Sequence, residues 1–203
     1  MKHSAFAFTA ALAATLAAPA AFAFDDPAGD LLPSFTGTAV GALDILQSSA
    51  VFDSGTNTFT ISATTNGHIA GMPGVAFAFG FDKGGANNAA FAAIGFPDVK
   101  FNAVASLRAD GTGAIGASAI TPIISGNTIS ATFSANLLPG TGLDFANFTW
   151  ALWSQDLTVS GLARNADFGP TANIQVSSVP EPTSWALMAA GLGLFALRRR
   201  VVR

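Results

Sequence analysis

The chain of 203 residues has no cysteine. Disulfides, thiolate nucleophiles and cysteine-ligated zinc or iron–sulfur sites are therefore excluded, and an exported protein of this composition must draw its stability from its core. Histidine is nearly as scarce, with only His3 and His68. A multi-histidine metal site is thereby excluded, and any Ser-His-Asp arrangement would hang on His68, which follows the turn pair Asn66-Gly67. Glutamate occurs once, at Glu181, so the body of the chain has no Glu for an acid pair of the glycosidase kind. Charge is sparse, at 10 % of residues. Between Asp25 and Glu181 the only cations are Lys83, Lys100, Arg108 and Arg164, against twelve carboxylates, a net of minus eight. That balance argues against nucleic acid or anionic lipid as a partner of this region, since both need a positive surface. Calcium or a neutral polysaccharide is compatible with it.

What the chain has in quantity is apolar sequence, 50 % of residues, concentrated at its two ends. Lys2 and His3 precede an Ala-rich run from Ala5 to about Leu16, then Pro19 and Ala21-Phe22-Ala23. A basic start, an apolar centre and an A-x-A site make a secretory signal peptide over residues 1–23, with cleavage by signal peptidase after Ala23. At the other end Trp185 to Leu197 is an uncharged run of thirteen residues followed by Arg198-Arg199-Arg200 and Arg203. As a helix it is roughly 20 Å long, short of a hydrocarbon core of roughly 30 Å. The run reads as a short transmembrane helix and marginal anchor, the arginines holding its end on the cytoplasmic side.

Ahead of that run stands Val179-Pro180-Glu181-Pro182. Proline disfavours helix at the residue before it and fixes its own backbone angle, which predicts an extended entry to the span. The motif, the short glycine-containing apolar run, the arginine cluster and their place at the extreme terminus together resemble the sorting domain of the PEP-CTERM proteins of Gram-negative bacteria. The resemblance covers residues 179–203. It implies handling by an exosortase, transient anchoring in the inner membrane, and delivery to the cell surface or the extracellular, biofilm-type polysaccharide matrix. Glu181 is on this reading a recognition residue of a substrate, and says nothing of the task of the mature domain.

Residues 24–178 form one domain of 155 residues, ample for a single core. Period-two segments dominate it. Asn57 to Thr65 sets Phe59, Ile61 and Ala63 against Thr58, Thr60 and Ser62, after a turn at Asp53 to Asn57. Gly74 to Asp82 has Val75, Phe77, Phe79 and Phe81 on one face and only Ala and Gly on the other, a strand buried on one side and closely approached on the second. Asp98 to Ala109 and Gly113 to Ile120 read as a hairpin turning at Asp110-Gly111, Thr128 to Ala135 as a strand after Gly126-Asn127, Phe145 to Trp153 as another, and Gly84 to Ala93 as a loop. The prediction is all-β: a single antiparallel, jelly-roll-like β-sandwich flanked by the signal helix and the short membrane helix. Asp26 to Asp30, Leu43 to Ile45, Thr128 to Pro139 and Asn147 to Leu152 resemble segments of secreted DOMON-like or carbohydrate-binding sandwiches, a resemblance that transfers no binding residue.

Asp25, Asp26 and Asp30 offer hard oxygen ligands for calcium, with Asp44 or Asp82 brought near by the fold; the alternative is a set of solvated turn residues. Asp98, Asp110, Asp144, Asp156 and Asp167 each sit in a turn-like setting that accounts for them better than catalysis does. Trp150 and Trp153 fall on opposite faces of one strand, so Trp153 either stacks on a sugar or packs beneath a loop. The expectation is a noncatalytic structural or interaction protein with no resident cofactor; the alternatives are a polysaccharide-binding module, calcium-assisted, and third a hydrolase.

Overall fold

The computed structural model describes residues 23–179 together with Met188 and Leu192. The signal segment through residue 22, Pro180 to Pro182 and Arg198 to Arg200 lie outside the described residues. Of the apolar run only Met188 and Leu192 fall within them, and both are helical. Among the described residues no helix is long and apolar enough to cross a membrane.

Among the described residues, thirteen strands make two sheets. The first contains β1 (Phe24–Asp25), β2 (Ile45–Asp53), β3 (Thr58–Thr65), β9 (Thr128–Ser134) and β8 (Ile123–Ser125) in that spatial order, with β13 (Ser177–Val179) also on β2. The second runs β11 (Asn165–Phe168), β10 (Thr149–Asp156), β4 (Val75–Asp82), β5 (Ala103–Arg108), β6 (Gly113–Ile115) and β7 (Ser118–Ile120), with β12 (Ile174–Gln175) also on β10. Every pairing is antiparallel except β13 on β2, which is parallel.

The alternation expected of β3 is present: Phe59, Ile61 and Ala63 are fully buried, with Thr65 buried at the end of the same face, while Thr58, Thr60 and Thr64 face outward. There they pair across to β9, Thr60 with Thr132 and Thr64 with Thr128, each hydroxyl pair at 2.9 Å. The turn before it also stands. Asp53 accepts from the Gly55 and Thr56 amides and the Thr56 hydroxyl, and Asn57 takes the left-handed backbone that asparagine tolerates, at φ 52°.

Side chains from both sheets meet in one core in which Phe59 is central, its ring within 6 Å of those of Phe52, Phe81, Phe133, Phe145 and Phe148. The second sheet is buried on its other face as well. Seven consecutive residues of β4, Val75 to Phe81, are buried, because the segment from Lys83 to Asn102 lies over the outer side, where its Phe91, Phe96 and Phe101 pack with Trp153 of β10 and Phe168 of β11 in a second aromatic cluster. Close approach at the small residues of β4 is literal: a Cβ added at Gly80 would stand 2.7 Å from the Trp153 ring.

Three expectations change. Gly113 to Ile120 is two strands, since Gly116 at φ 55° turns the chain between Ile115 and Ser118 in a two-residue hairpin. Asp98 to Asn102 belongs to the covering segment, β5 beginning at Ala103, and Phe145 to Asn147 is a 3₁₀ turn ahead of β10. The short strands β1, β8, β11, β12 and β13 are too brief to carry a period and arise from pairing with longer neighbours.

Truncation of the central ring tests this core. Phe59→Ala should cost roughly 3–5 kcal/mol of stability by cavity formation, read as a lowered urea midpoint with unchanged m-value.

Candidate functional site

Two places on the domain gather chemistry-bearing side chains. The first is acidic and is built by the start of the domain. Phe24 and Asp25 pair with Ser48 and Gln47 of β2, and the Asp26 amide continues the ladder to Leu46 O at 2.9 Å. Alternation along β1 then separates two neighbouring carboxylates. Asp25 takes an N–H from Gln47 Nε2 at 2.9 Å on the exposed side. Asp26 turns the other way, where Asp26, Asp30 and Asp167 each present a carboxylate oxygen within 4.8 Å of one another.

Asp167 lies in β11 and is 2 % exposed. Its Oδ2 accepts from the Ile45 amide and its Oδ1 from the Phe168 amide, both at 2.7 Å. Asp44 stands close by, its carboxylate taking the Gly29 amide at 2.9 and 3.1 Å and Asn66 Nδ2 at 2.9 Å. These N–H groups hold the loop from Pro27 to Asp30 in place and offset part of the cost of gathering four carboxylates. One oxygen is left out: Asp26 Oδ2 is buried with no hydrogen-bond partner.

The electrostatics follow. Burial, then the neighbouring charges of Asp167, Asp30 and Asp44, push the Asp26 carboxyl up to about 7. Asp167 is also raised to about 7, chiefly by burial and further by Asp30 and Asp44, against the lowering effect of its bonds to the Ile45 and Phe168 amides. The arrangement can do one of two things near neutrality, hold protons or hold a hard cation.

The set thus differs from the predicted Asp25, Asp26 and Asp30. Asp26 and Asp30 meet, Asp25 is directed away by the strand's alternation, and Asp167 arrives from the far end of the chain. Asp82 serves its own loop, accepting from the Gly84 amide and Asn87 Nδ2 at 2.8 Å. Asp110 bonds Thr112 within its turn, and Asp156, the buried last residue of β10, bonds Thr158 in the turn that follows. Asp167, read with them as a turn residue, is instead a buried strand residue. His68 is exposed on the loop after β3.

The second place is a cleft of about 550 Å³ on the outer face of the second sheet, between the covering segment and the turn at Gly161 to Arg164. Its apolar wall includes Phe91, Phe101 and Trp153, and its polar wall Gln155, Arg164 and Asn165. Trp153 is 3 % exposed, beneath the covering segment with its ring centroid 4.7 Å from Phe91 and 5.1 Å from Phe101. Trp150, on the opposite face, is in the inter-sheet core. Gln155 Nε2 donates to Asn165 Oδ1 at 2.9 Å, and Asn165 Nδ2 donates to the Leu162 carbonyl at 2.8 Å, so both amides are satisfied within the protein. Arg164 and Gln155 carry no pattern in the sequence that marks them; only Trp153 stands out there.

Beyond the domain, residues 178–200 match the PEP-CTERM protein-sorting motif. No curated protein matches the chain. The match begins inside β13, so the folded domain runs into the sorting segment with no intervening linker.

The raised carboxyls set a pH dependence. Asp26 and Asp167 bind protons more tightly folded, at about 7, than at the ordinary 3.8. Their contribution to stability is therefore full below about pH 4 and is lost as pH rises through about 7. In metal-free buffer Tm should fall over this window, each ~1 kcal/mol lost appearing as roughly 2–4 °C, and Asp26→Asn should flatten the profile. A profile that rises from pH 4 to 7 would contradict the assignment.

Proposed function

For a PEP-CTERM protein, exported and sorted by an exosortase into association with the cell envelope, we propose that the mature domain is a noncatalytic structural or interaction module of the cell surface or extracellular matrix. The observation that carries this is the continuity of β13 with the sorting motif: Val179 pairs with Asp53 of β2 and Pro180 follows at once. The domain is thus held close to whatever holds the tag, as a displayed module is. Of the residues weighed for catalysis, His68 is exposed and Asp167 accepts backbone amides at both carboxylate oxygens.

Mass measurement of the protein from its native host tests the first part. Loss of residues 1–23 and processing between about Val179 and Ser184 is the expected result; a mass retaining Arg198 to Arg203 would make the tag a permanent anchor and overturn the sorting role.

Calcium is the cation proposed for the acidic end. The support is the unpartnered buried Asp26 Oδ2, beside Asp30 and Asp167. A divalent ion there would satisfy that oxygen and relieve the mutual repulsion, tying the amino-terminal segment to β11. At pH 7.5 calcium should raise Tm, by about 2.7 kcal/mol of stability at a hundredfold excess over its dissociation constant, and the gain should vanish in Asp30→Asn. Equal thermal midpoints in calcium and in chelator would remove the ion from the account.

A further inference from the structure

We propose that the main chain of Ser178 and Val179 is a shared strand: the folded domain pairs it with β2, and the exosortase must take it from β2 to process the tag. The proposal rests on the exosortase reading of the motif at residues 178–200. It adds that the domain's own fold sets the rate of sorting.

Two partners have a claim on the same backbone. β13 lies parallel to β2, with Ser177, Ser178 and Val179 opposite Val51, Phe52 and Asp53, while the sorting motif begins at Ser178. The overlap falls where a main-chain reader needs it most, because Pro180 and Pro182 have no N–H to offer. On the amino-terminal side of Glu181 the nearest backbone donors in the motif are those of Val179 and Ser178. Proteins that bind an extended segment do so largely through its main chain, in the manner of an added strand. β2 and the enzyme are thus alternative partners for these two residues.

The chain is also fastened immediately before β13. Val176 is buried in the inter-sheet core, and its amide donates to Phe148 O at 2.9 Å. Asn173 clasps Lys100, its Oδ1 accepting from the Lys100 amide at 2.9 Å and its Nδ2 donating to Lys100 O at 2.7 Å. Between them Ile174 and Gln175 form β12 on β10. The motif therefore gains no freedom from the residues ahead of it. What can open is β13 by itself, since it is three residues long, pairs among the described residues with β2 alone, and leaves Ser178 exposed. Short pairings of this kind lie at the low end of local stability.

Cleavage of a folded substrate proceeds through the locally opened form, and its rate follows how often that form is populated. Unpairing β13 frees Ser178 and Val179 while Val176 stays in the core, so the body of the domain remains folded as the tag is handled. Processing beyond Val179 leaves both residues on the domain, able to pair with β2 again and cover its edge.

Pulse-chase of the full chain in its native host, which supplies the exosortase, reads the rate at which Arg198 to Arg203 are lost. Two variants separate the partners. Val51→Cys with Ser177→Cys places cysteines at paired positions of a chain that otherwise has none, and ties β13 to β2 when oxidised. The tied chain should lose its tag roughly tenfold more slowly, and a reductant in the chase should restore the natural rate. Insertion of Gly-Ser-Gly-Ser-Ser-Val after Val179 keeps β13 in place and sets a second Ser-Val pair ahead of Pro180. That chain should be processed faster than the natural one, and combining it with the two cysteines should not slow it. A tied chain processed at the natural rate, a delay that reductant does not lift, or an inserted chain no faster than the natural one would each overturn the proposal and leave the sorting role standing. A natural chain that never loses Arg198 to Arg203 would overturn the exosortase reading, and the proposal with it.

Discussion

Burial of both faces of the β4–β10 pair is the constraint on which the rest of the molecule depends. With no disulfide available, apolar burial must carry the domain. A two-layer sandwich covers one face of each sheet, and here the second sheet is covered twice: inward by the rings of Phe77, Phe79, Phe81 and Trp150, outward by Phe91, Trp153 and Phe168. The small residues on the outer side of β4 make this geometry feasible, since Ala78 and Gly80 leave room for the indole of Trp153 to lie on the sheet. The outer layer incompletely covers its end of the sheet, and the gap it leaves beside Gln155 and Arg164 is the cleft.

The first sheet has a different task. Both ends of the domain lie on strand β2: β1 pairs at Gln47 and Ser48, and β13 pairs at Val51 to Asp53. Short strands at that position cover backbone groups that would otherwise invite pairing with another chain. The segment entering β1 brings Asp26 and Asp30 against Asp44 and Asp167, and β13 leads into the sorting motif that begins at Ser178. The cleft belongs to the outer face of the other sheet.

Much of this was legible from local pattern. The alternation of Phe59, Ile61 and Ala63 identifies β3 because one face is buried and the other pairs threonines. The Phe-Ala-Phe-Gly-Phe run of β4 signals close approach on its second face, and the opposed tryptophans of β10 separate into two clusters because they lie three residues apart. Asp167 was not legible in the same way. Asn165-Ala166-Asp167-Phe168 is buried throughout, so no alternation marks it, and its carboxylate has meaning only beside Ile45, more than a hundred residues away. Asp25 misled for the opposite reason: adjacency in sequence suggested a shared site, whereas adjacency along a strand sends side chains to opposite faces.

By itself the sequence determined the address and the class of fold. The sorting motif is a contiguous run of residue types whose chemistry is local, and strand-forming alternation is local too. Only the tertiary structure decided which carboxylates meet, that Trp153 lies under a covering segment, and that Arg164 and Gln155 share a cleft with it. Those are contacts between segments distant in the chain, set by how two sheets and an outer layer pack, and packing is a property of the assembled volume that no short window of sequence contains.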